Sequence, residues 1–143
     1  MLWQVPFDGG EGKLFFENPK PHFAFSLDSK RFAMFERGKD VLMLKIFSVE
    51  TKQVEKEYPL TEKNLIADAL AWSPNGKFIL YTAKYLGKNT SVFLQNLNQE
   101  TPTKITDLGT DYTVEIAISP DSKQFAFTRG RWNYDSVLIT GVK

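Results

Sequence analysis

The sequence contains no cysteine and only one histidine, His22. Without cysteine the chain can form neither disulfides nor thiolate metal sites, and its redox compartment stays undetermined. A lone histidine lacks the second imidazole or thiolate that a zinc site needs, so we expect His22 to be structural or solvated. No Gly-x-Ser-x-Gly motif supplies the nucleophile of a serine hydrolase. The residues therefore predict no metal, no cofactor and no catalytic centre in this chain.

An excess of either charge is also missing. Lysine and arginine number 18 against 17 acidic residues, which gives a net charge of +1 and no overall field to attract nucleic acid or an anionic membrane. No apolar run reaches membrane-spanning length, and the N-terminus lacks the basic start and apolar core of a signal peptide. We expect no nucleic-acid binding and no membrane insertion, and the sequence does not indicate a compartment.

What the sequence does contain is one motif repeated three times: a short apolar strand that ends in serine, a tight turn, a lysine and a second apolar strand. The turn serines Ser26, Ser73 and Ser119 are 47 and 46 residues apart. A period of about 40 to 50 residues built of short strands is typical of β-propeller blades. We therefore predict an all-β fold made of β-propeller blades.

The turn of the motif has its own chemistry. Gly76 can adopt the positive φ that the third turn position requires, whereas Ser29 and Ser122 stand there in the other two copies, where glycine would cost least. The serine that precedes each turn is best interpreted as a capping hydroxyl rather than a nucleophile. Large and small residues alternate along the strand before the turn, so we expect both faces of that strand to be buried between blades.

Counting outward from the turns gives each complete repeat four strands, the last of which is polar enough for an outer edge. The chain then reads as two complete four-stranded blades and two partial ones within a single partial propeller. The predicted segments are residues 1–20 for the third and fourth strands of one blade, 21–63 and 64–110 for complete blades, and 111–143 for the first three strands of a last blade.

The stretch from Trp72 to Lys77, Trp-Ser-Pro-Asn-Gly-Lys, resembles the WD40-like, TolB-type propeller repeat, and the likeness extends over nearly the whole chain. The family pattern is Trp-Ser-Pro-Asp-Gly followed by apolar strands and a terminal Leu-Thr, usually in six or seven blades. The sequence departs from it at five positions, which are Leu27, Ser29, Asn75, Ile118 and Ser122. The ending of the chain is similar to the last blade of propellers in bacterial regulatory proteins and receptor-type kinases.

The resemblance implies a noncatalytic scaffold for protein interaction or ligand sensing within a longer bacterial protein. The alternative is the propeller half of a serine peptidase related to prolyl oligopeptidase or dipeptidyl peptidase IV, where the disc would gate access to a separate hydrolase domain. The sequence upstream and downstream would discriminate between the two.

Cationic side chains recur in the loops between the second and third strands of the blades, which all open on one rim of a propeller. In the last of these loops two aromatic residues join them, and aromatic and arginine side chains often anchor protein interfaces. We expect this rim to contact an acidic protein segment or ligand. The candidate partner-binding residues are Arg37, Lys39, Lys84, Lys88, Arg129, Arg131, Trp132 and Tyr134. Because the blade faces at the two ends would be bare, we also expect the isolated chain to self-associate, with a homo-oligomer that completes a ring as one form.

Overall fold

The fold is a series of antiparallel sheets connected by short turns. The computed structural model describes residues 1–20, 22–39, 41–60, 65–85, 89–110 and 112–130. Twelve strands are present in these ranges, and no helix among them is long and apolar enough to cross a membrane.

The first and last sheets each contain two described strands. The first blade consists of β1 (Leu2–Gln4) and β2 (Lys13–Phe16), and the fourth blade consists of β11 (Tyr112–Ile118) and β12 (Phe125–Gly130). The third strand predicted for the fourth blade, at residues 137–140, lies outside the described residues.

Between them lie two four-stranded meanders. The second blade is formed by β3 (Phe23–Phe25), β4 (Arg31–Arg37), β5 (Leu42–Ser48) and β6 (Val54–Leu60). The third blade is formed by β7 (Leu65–Trp72), β8 (Phe78–Tyr85), β9 (Thr90–Asn96) and β10 (Thr103–Gly109). In both blades the strand order in the sheet is the order in the sequence, as in a propeller blade. The prediction of an all-β fold of two complete and two partial propeller blades is confirmed. The predicted segment boundaries fall at or beside undescribed positions (21, 61–64 and 111) and stay predictions.

Three apolar cores lie between successive blades. Phe32 and Phe47 of the second blade meet Phe16 of the first, and the rings of Phe32 and Phe47 stack with centroids 4.9 Å apart. The second and third blades share the largest core, in which Phe35 meets Tyr81 edge to face at 5.4 Å. Burial of such rings is the main stabilising term in a small β protein. A smaller core between the third and fourth blades completes the series.

The outer strands are polar, as expected for edges. Four successive residues at the start of β6 are exposed, and so are the first five of β10. The blades are also tied by hydrogen bonds. The buried Tyr58 hydroxyl on β6 donates to the Leu97 carbonyl of the third blade at 2.9 Å, and the Lys56 ammonium donates to the same oxygen at 2.7 Å. Outer strands therefore contribute to blade contacts as well as closing the sheet.

The expectation that both faces of each inner strand are buried is wrong for two of the three copies. Trp72 of β7 is buried, but Phe25 of β3 is 42% exposed and Ala117 of β11 is exposed. The reason is the neighbourhood of each strand. The first blade has described strands only at its outer positions, so β3 is covered in part: Phe25 meets Phe15 of β2, with ring centroids 5.7 Å apart, and stays exposed on its other side. Beyond β11 and β12 no further described blade covers their outer face.

Candidate functional site

The three repeated turns share one hydrogen-bond network. In the third blade the Ser73 hydroxyl donates to Asn75 Oδ1 at 2.9 Å and accepts the Phe78 N–H at 3.0 Å. Asn75 Oδ1 also accepts the Lys77 N–H at 3.0 Å. Ser26 with Asp28 and Ser119 with Asp121 repeat the same pattern, in which each serine hydroxyl donates to the carboxylate at 2.6 Å. The interpretation of these serines as turn-capping hydroxyls is confirmed.

The backbone at the turns follows the residue at the third position. Gly76 has φ of 68°, and Ser29 and Ser122 have φ of 57° and 59°. This left-handed region is open to glycine and disfavoured for a residue that carries a Cβ. The two serines therefore hold the turn geometry at a conformational cost that Gly76 avoids.

Hydrogen bonds within the turns lower the pKa of both turn carboxylates. Hydrogen bonds from the Ser26 hydroxyl and then from the Lys30 N–H lower the pKa of Asp28 below its usual value of 3.8. The Ser119 hydroxyl and the Lys123 N–H do the same to the pKa of Asp121. Both carboxylates use their oxygens to close a turn, and they lie in different blades. They are structural groups of the fold.

The rim with the loops between second and third strands contains part of the candidate partner-binding set. Arg37 lies at the end of β4, is exposed, and donates from Nη2 to the Leu65 carbonyl of the next blade at 2.9 Å. Lys39 is exposed in the following turn. Lys84 lies near the end of β8 and is half-buried, with its backbone paired to Thr90.

Of the remaining five candidates, only Arg129 lies within the described residues. Arg129 lies near the end of β12, in register with Thr113. Lys88, Arg131, Trp132 and Tyr134 lie outside the described residues. The grouping of all eight residues into one partner-binding surface stays a prediction.

A groove of about 450 Å³ crosses the inner strands of three blades. Sequence reasoning missed it, because its polar residues come from different repeats. Its lining residues are His22, Phe23, Ala69, Leu70, Glu115, Ile116, Ala117, Ala126, Phe127 and Thr128. His22, interpreted above as structural or solvated, is half-buried here. No group of three or more histidine, aspartate or glutamate side chains suited to a metal ion occurs in the part of the chain that the structure describes.

The end sheets present apolar side chains to solvent. Trp3 on β1 is 56% exposed, and Phe127 on β12 is 39% exposed. Exposed apolar residues of this kind favour association, but self-association stays a prediction. Light scattering over a dilution series tests it, and a constant monomer mass would contradict it.

Comparison with known proteins supports the fold. No family model matches the chain, and no curated protein matches it. Among solved structures, a chain of Kuenenia stuttgartiensis hydrazine synthase, a propeller-containing protein, is similar with a TM-score of 0.54 and 20% sequence identity. The match covers 74% of this chain and 28% of that chain, so this chain spans little more than a quarter of its structural relative. At this identity the likeness concerns the fold alone. The sheets and this likeness define the chain as a run of β-propeller blades.

Proposed function

We propose that the chain is a noncatalytic β-propeller segment that presents rim loops to a protein partner or a ligand within a longer bacterial protein. The observation that carries this proposal is the hydrogen bond from exposed Arg37 to the Leu65 carbonyl, 2.9 Å long. It ties the rim end of β4 to the first residue of β7 in the next blade. A loop held in this way loses less conformational entropy when a partner binds.

The repeated turns support a scaffold role. Their serine hydroxyls and their aspartate or asparagine oxygens all take part in hydrogen bonds within the turn. Ser26 and Ser73 are also buried, at 3% and 0% exposure. The polar groups that recur in every copy are therefore used to build the disc. Recognition is left to positions that differ between the copies, which include the rim loops.

The charge of the rim indicates the kind of partner. Arg37 and Lys39 are both exposed and cationic, and the sequence adds Arg131 in the equivalent loop of the last blade. Local positive charge on a chain of net charge +1 favours an acidic partner segment through steering and charge-assisted hydrogen bonds. We therefore propose an acidic peptide segment as the class of partner.

Selection of random displayed peptides on the immobilised chain tests the proposal. We expect acidic sequences to be enriched, and their affinity to fall at least about tenfold for a variant with Lys39→Glu and Arg131→Glu, because removal of charged hydrogen bonds costs about 1.5 to 3 kcal/mol each. The matched control is Lys77→Glu with Lys123→Glu, which changes the net charge equally in exposed turns on the opposite rim. Equal loss in both variants, or enrichment without acidic residues, would contradict the proposal.

A further inference from the structure

Three equivalent positions of the repeat meet in the groove across the inner strands. The residue four places before each turn serine is His22 in the second blade, Ala69 in the third and Glu115 in the fourth. All three line the same cavity of about 450 Å³. The residues that follow them, Phe23, Leu70 and Ile116, line it as well. The groove is therefore formed where corresponding parts of three neighbouring blades converge.

The backbone at the groove is built in the same way in two blades. The pairing of β7 with β8 shifts register between Ala67 and Leu70, and the pairing of β11 with β12 shifts between Thr113 and Ile116. Such bulges reorient the side chains of a strand and are frequent next to binding sites.

A threonine on the neighbouring strand caps each bulge. Thr82 Oγ1 accepts the Ala69 N–H at 3.1 Å, and Thr128 Oγ1 accepts the Glu115 N–H at 3.0 Å. The backbone of Glu115 is therefore fixed by a side chain that itself lines the groove. The second blade has Phe35 at the corresponding position of β4, so the threonine-capped bulge is a feature of the third and fourth blades.

The chemistry of the lining is one carboxylate among apolar walls. Glu115 is exposed to the groove, and within the described ranges it forms no ion pair. Phe23, Leu70 and Phe127 supply the apolar surface, and His22 supplies a second hydrogen-bonding group. The alanines that line the groove leave the space open. A volume of this size is within the range of small-molecule sites.

We propose that this groove binds a small organic cation, a primary ammonium carried on an apolar body. The ammonium pairs with the Glu115 carboxylate, and the apolar body lies against the walls formed by Phe23, Leu70 and Phe127. A carboxylate and an ammonium form a charge-assisted hydrogen bond of the stronger class, while an aromatic body gains from contact with aromatic walls. The inference is independent of the rim surface proposed above, since the two involve different residues.

Nuclear magnetic resonance titration of the full chain with benzylamine, benzyl alcohol and benzoate tests the proposal. The three probes share a ring and differ in charge. We expect benzylamine to shift the backbone resonances of Ala69, Glu115 and Ile116, the alcohol to bind at least about tenfold more weakly, and benzoate to leave these resonances unchanged, because only the ammonium can form a charge-assisted hydrogen bond with the Glu115 carboxylate.

Two variants and one control complete the experiment. Glu115→Gln keeps the shape of the side chain and removes its charge, so we expect benzylamine affinity to fall at least about tenfold. Ala117→Leu places a larger side chain at an exposed lining position and should weaken all probes. The control, Glu55→Gln, removes another exposed carboxylate, on outer strand β6, and should leave binding unchanged.

Equal binding of benzylamine and benzoate would overturn the proposal, as would the absence of any shift at the groove residues. An unchanged affinity in Glu115→Gln would also overturn it. An unchanged melting temperature in Glu115→Gln separates lost recognition from lost folding. Failure of this titration would leave the acidic-peptide proposal intact, because the peptide selection depends on the cationic rim residues and not on Glu115.

Discussion

The turn serines test how much the hydrogen bonds of the turns stabilise the fold. The same network is buried at Ser73 in the third blade and exposed at Ser119 in the fourth. Replacement of Ser73 by alanine removes two hydrogen bonds, one to Asn75 Oδ1 at 2.9 Å and one from the Phe78 N–H at 3.0 Å. Ser73 is fully buried, so water reaches the freed Phe78 N–H less readily than it would at an exposed turn. With about 1 kcal/mol for each net hydrogen bond and a further cost for a donor left unsatisfied, we expect a loss of about 2 to 3 kcal/mol.

The same substitution at Ser119 should cost less. Its hydroxyl likewise donates to Asp121 and accepts the Gln124 N–H, but both bonds are exposed to solvent. Water can therefore take over the freed groups, and we expect a loss of about 0.5 to 1 kcal/mol. Ser119→Ala is thus the comparison for Ser73→Ala, with the same atoms removed from the same motif and a carboxylate in place of the amide as acceptor.

Equilibrium unfolding in urea measures both variants. We take a slope of the free energy of unfolding against urea concentration of about 2 kcal/mol per molar. The urea midpoint of unfolding should then fall by about 1 M or more in Ser73→Ala and by less than about 0.5 M in Ser119→Ala. The slope should be unchanged in both, since neither substitution alters the surface that unfolding exposes. Equal losses in the two variants would refute the role assigned to burial, and a loss below about 0.5 kcal/mol in Ser73→Ala would refute the role assigned to the network.

Three further perturbations follow from the same contacts. Gly76→Ala should lower stability by about 1 kcal/mol, because φ is 68° while the added Cβ meets nothing closer than an arginine nitrogen at 3.8 Å; unchanged urea unfolding would contradict this. Tyr58→Phe and Lys56→Met each remove one of the two donors to the Leu97 carbonyl, so the double variant should lose more stability than the sum of the two losses, as a double-mutant cycle measures; additive losses would argue against a shared acceptor. The lowered pKa of Asp121 stabilises the fold above the usual carboxyl pKa of 3.8, and this contribution is lost as pH falls through the lower folded value. Acid unfolding of Asp121→Asn should therefore depend less on pH in that range than acid unfolding of the parent chain, and identical profiles would count against the turn network.

The fold could be predicted because its signal is local and repeated. The turn residues determine a hairpin within six positions, and the fixed spacing of Ser26, Ser73 and Ser119 then places every following strand. The positive φ of Ser29 and Ser122 falls at the position that the glycine of the middle copy marks.

Contacts between blades could not be predicted in the same way. The bonds from Tyr58 and Lys56 to the Leu97 carbonyl join residues about forty positions apart, and no local pattern specifies such a partner. The burial of the inner strands was overestimated for a related reason. The alternation of large and small residues reports which side of a strand is apolar, whereas exposure of Phe25 depends on whether a neighbouring sheet extends over it.

The candidate groove combines a position that recurs in each repeat with side chains that differ between the copies. Positions that close the turn hold the same chemistry in all copies, with serine before the turn and lysine after it. The position four residues earlier holds histidine, alanine and glutamate in turn, although the inner strands bring these three residues to one cavity. A position that served only the packing of blades would be expected to keep similar side chains in each copy. The internal variation at His22, Ala69 and Glu115 therefore separates the part of the repeat that builds the disc from the part that gives this groove its own chemistry.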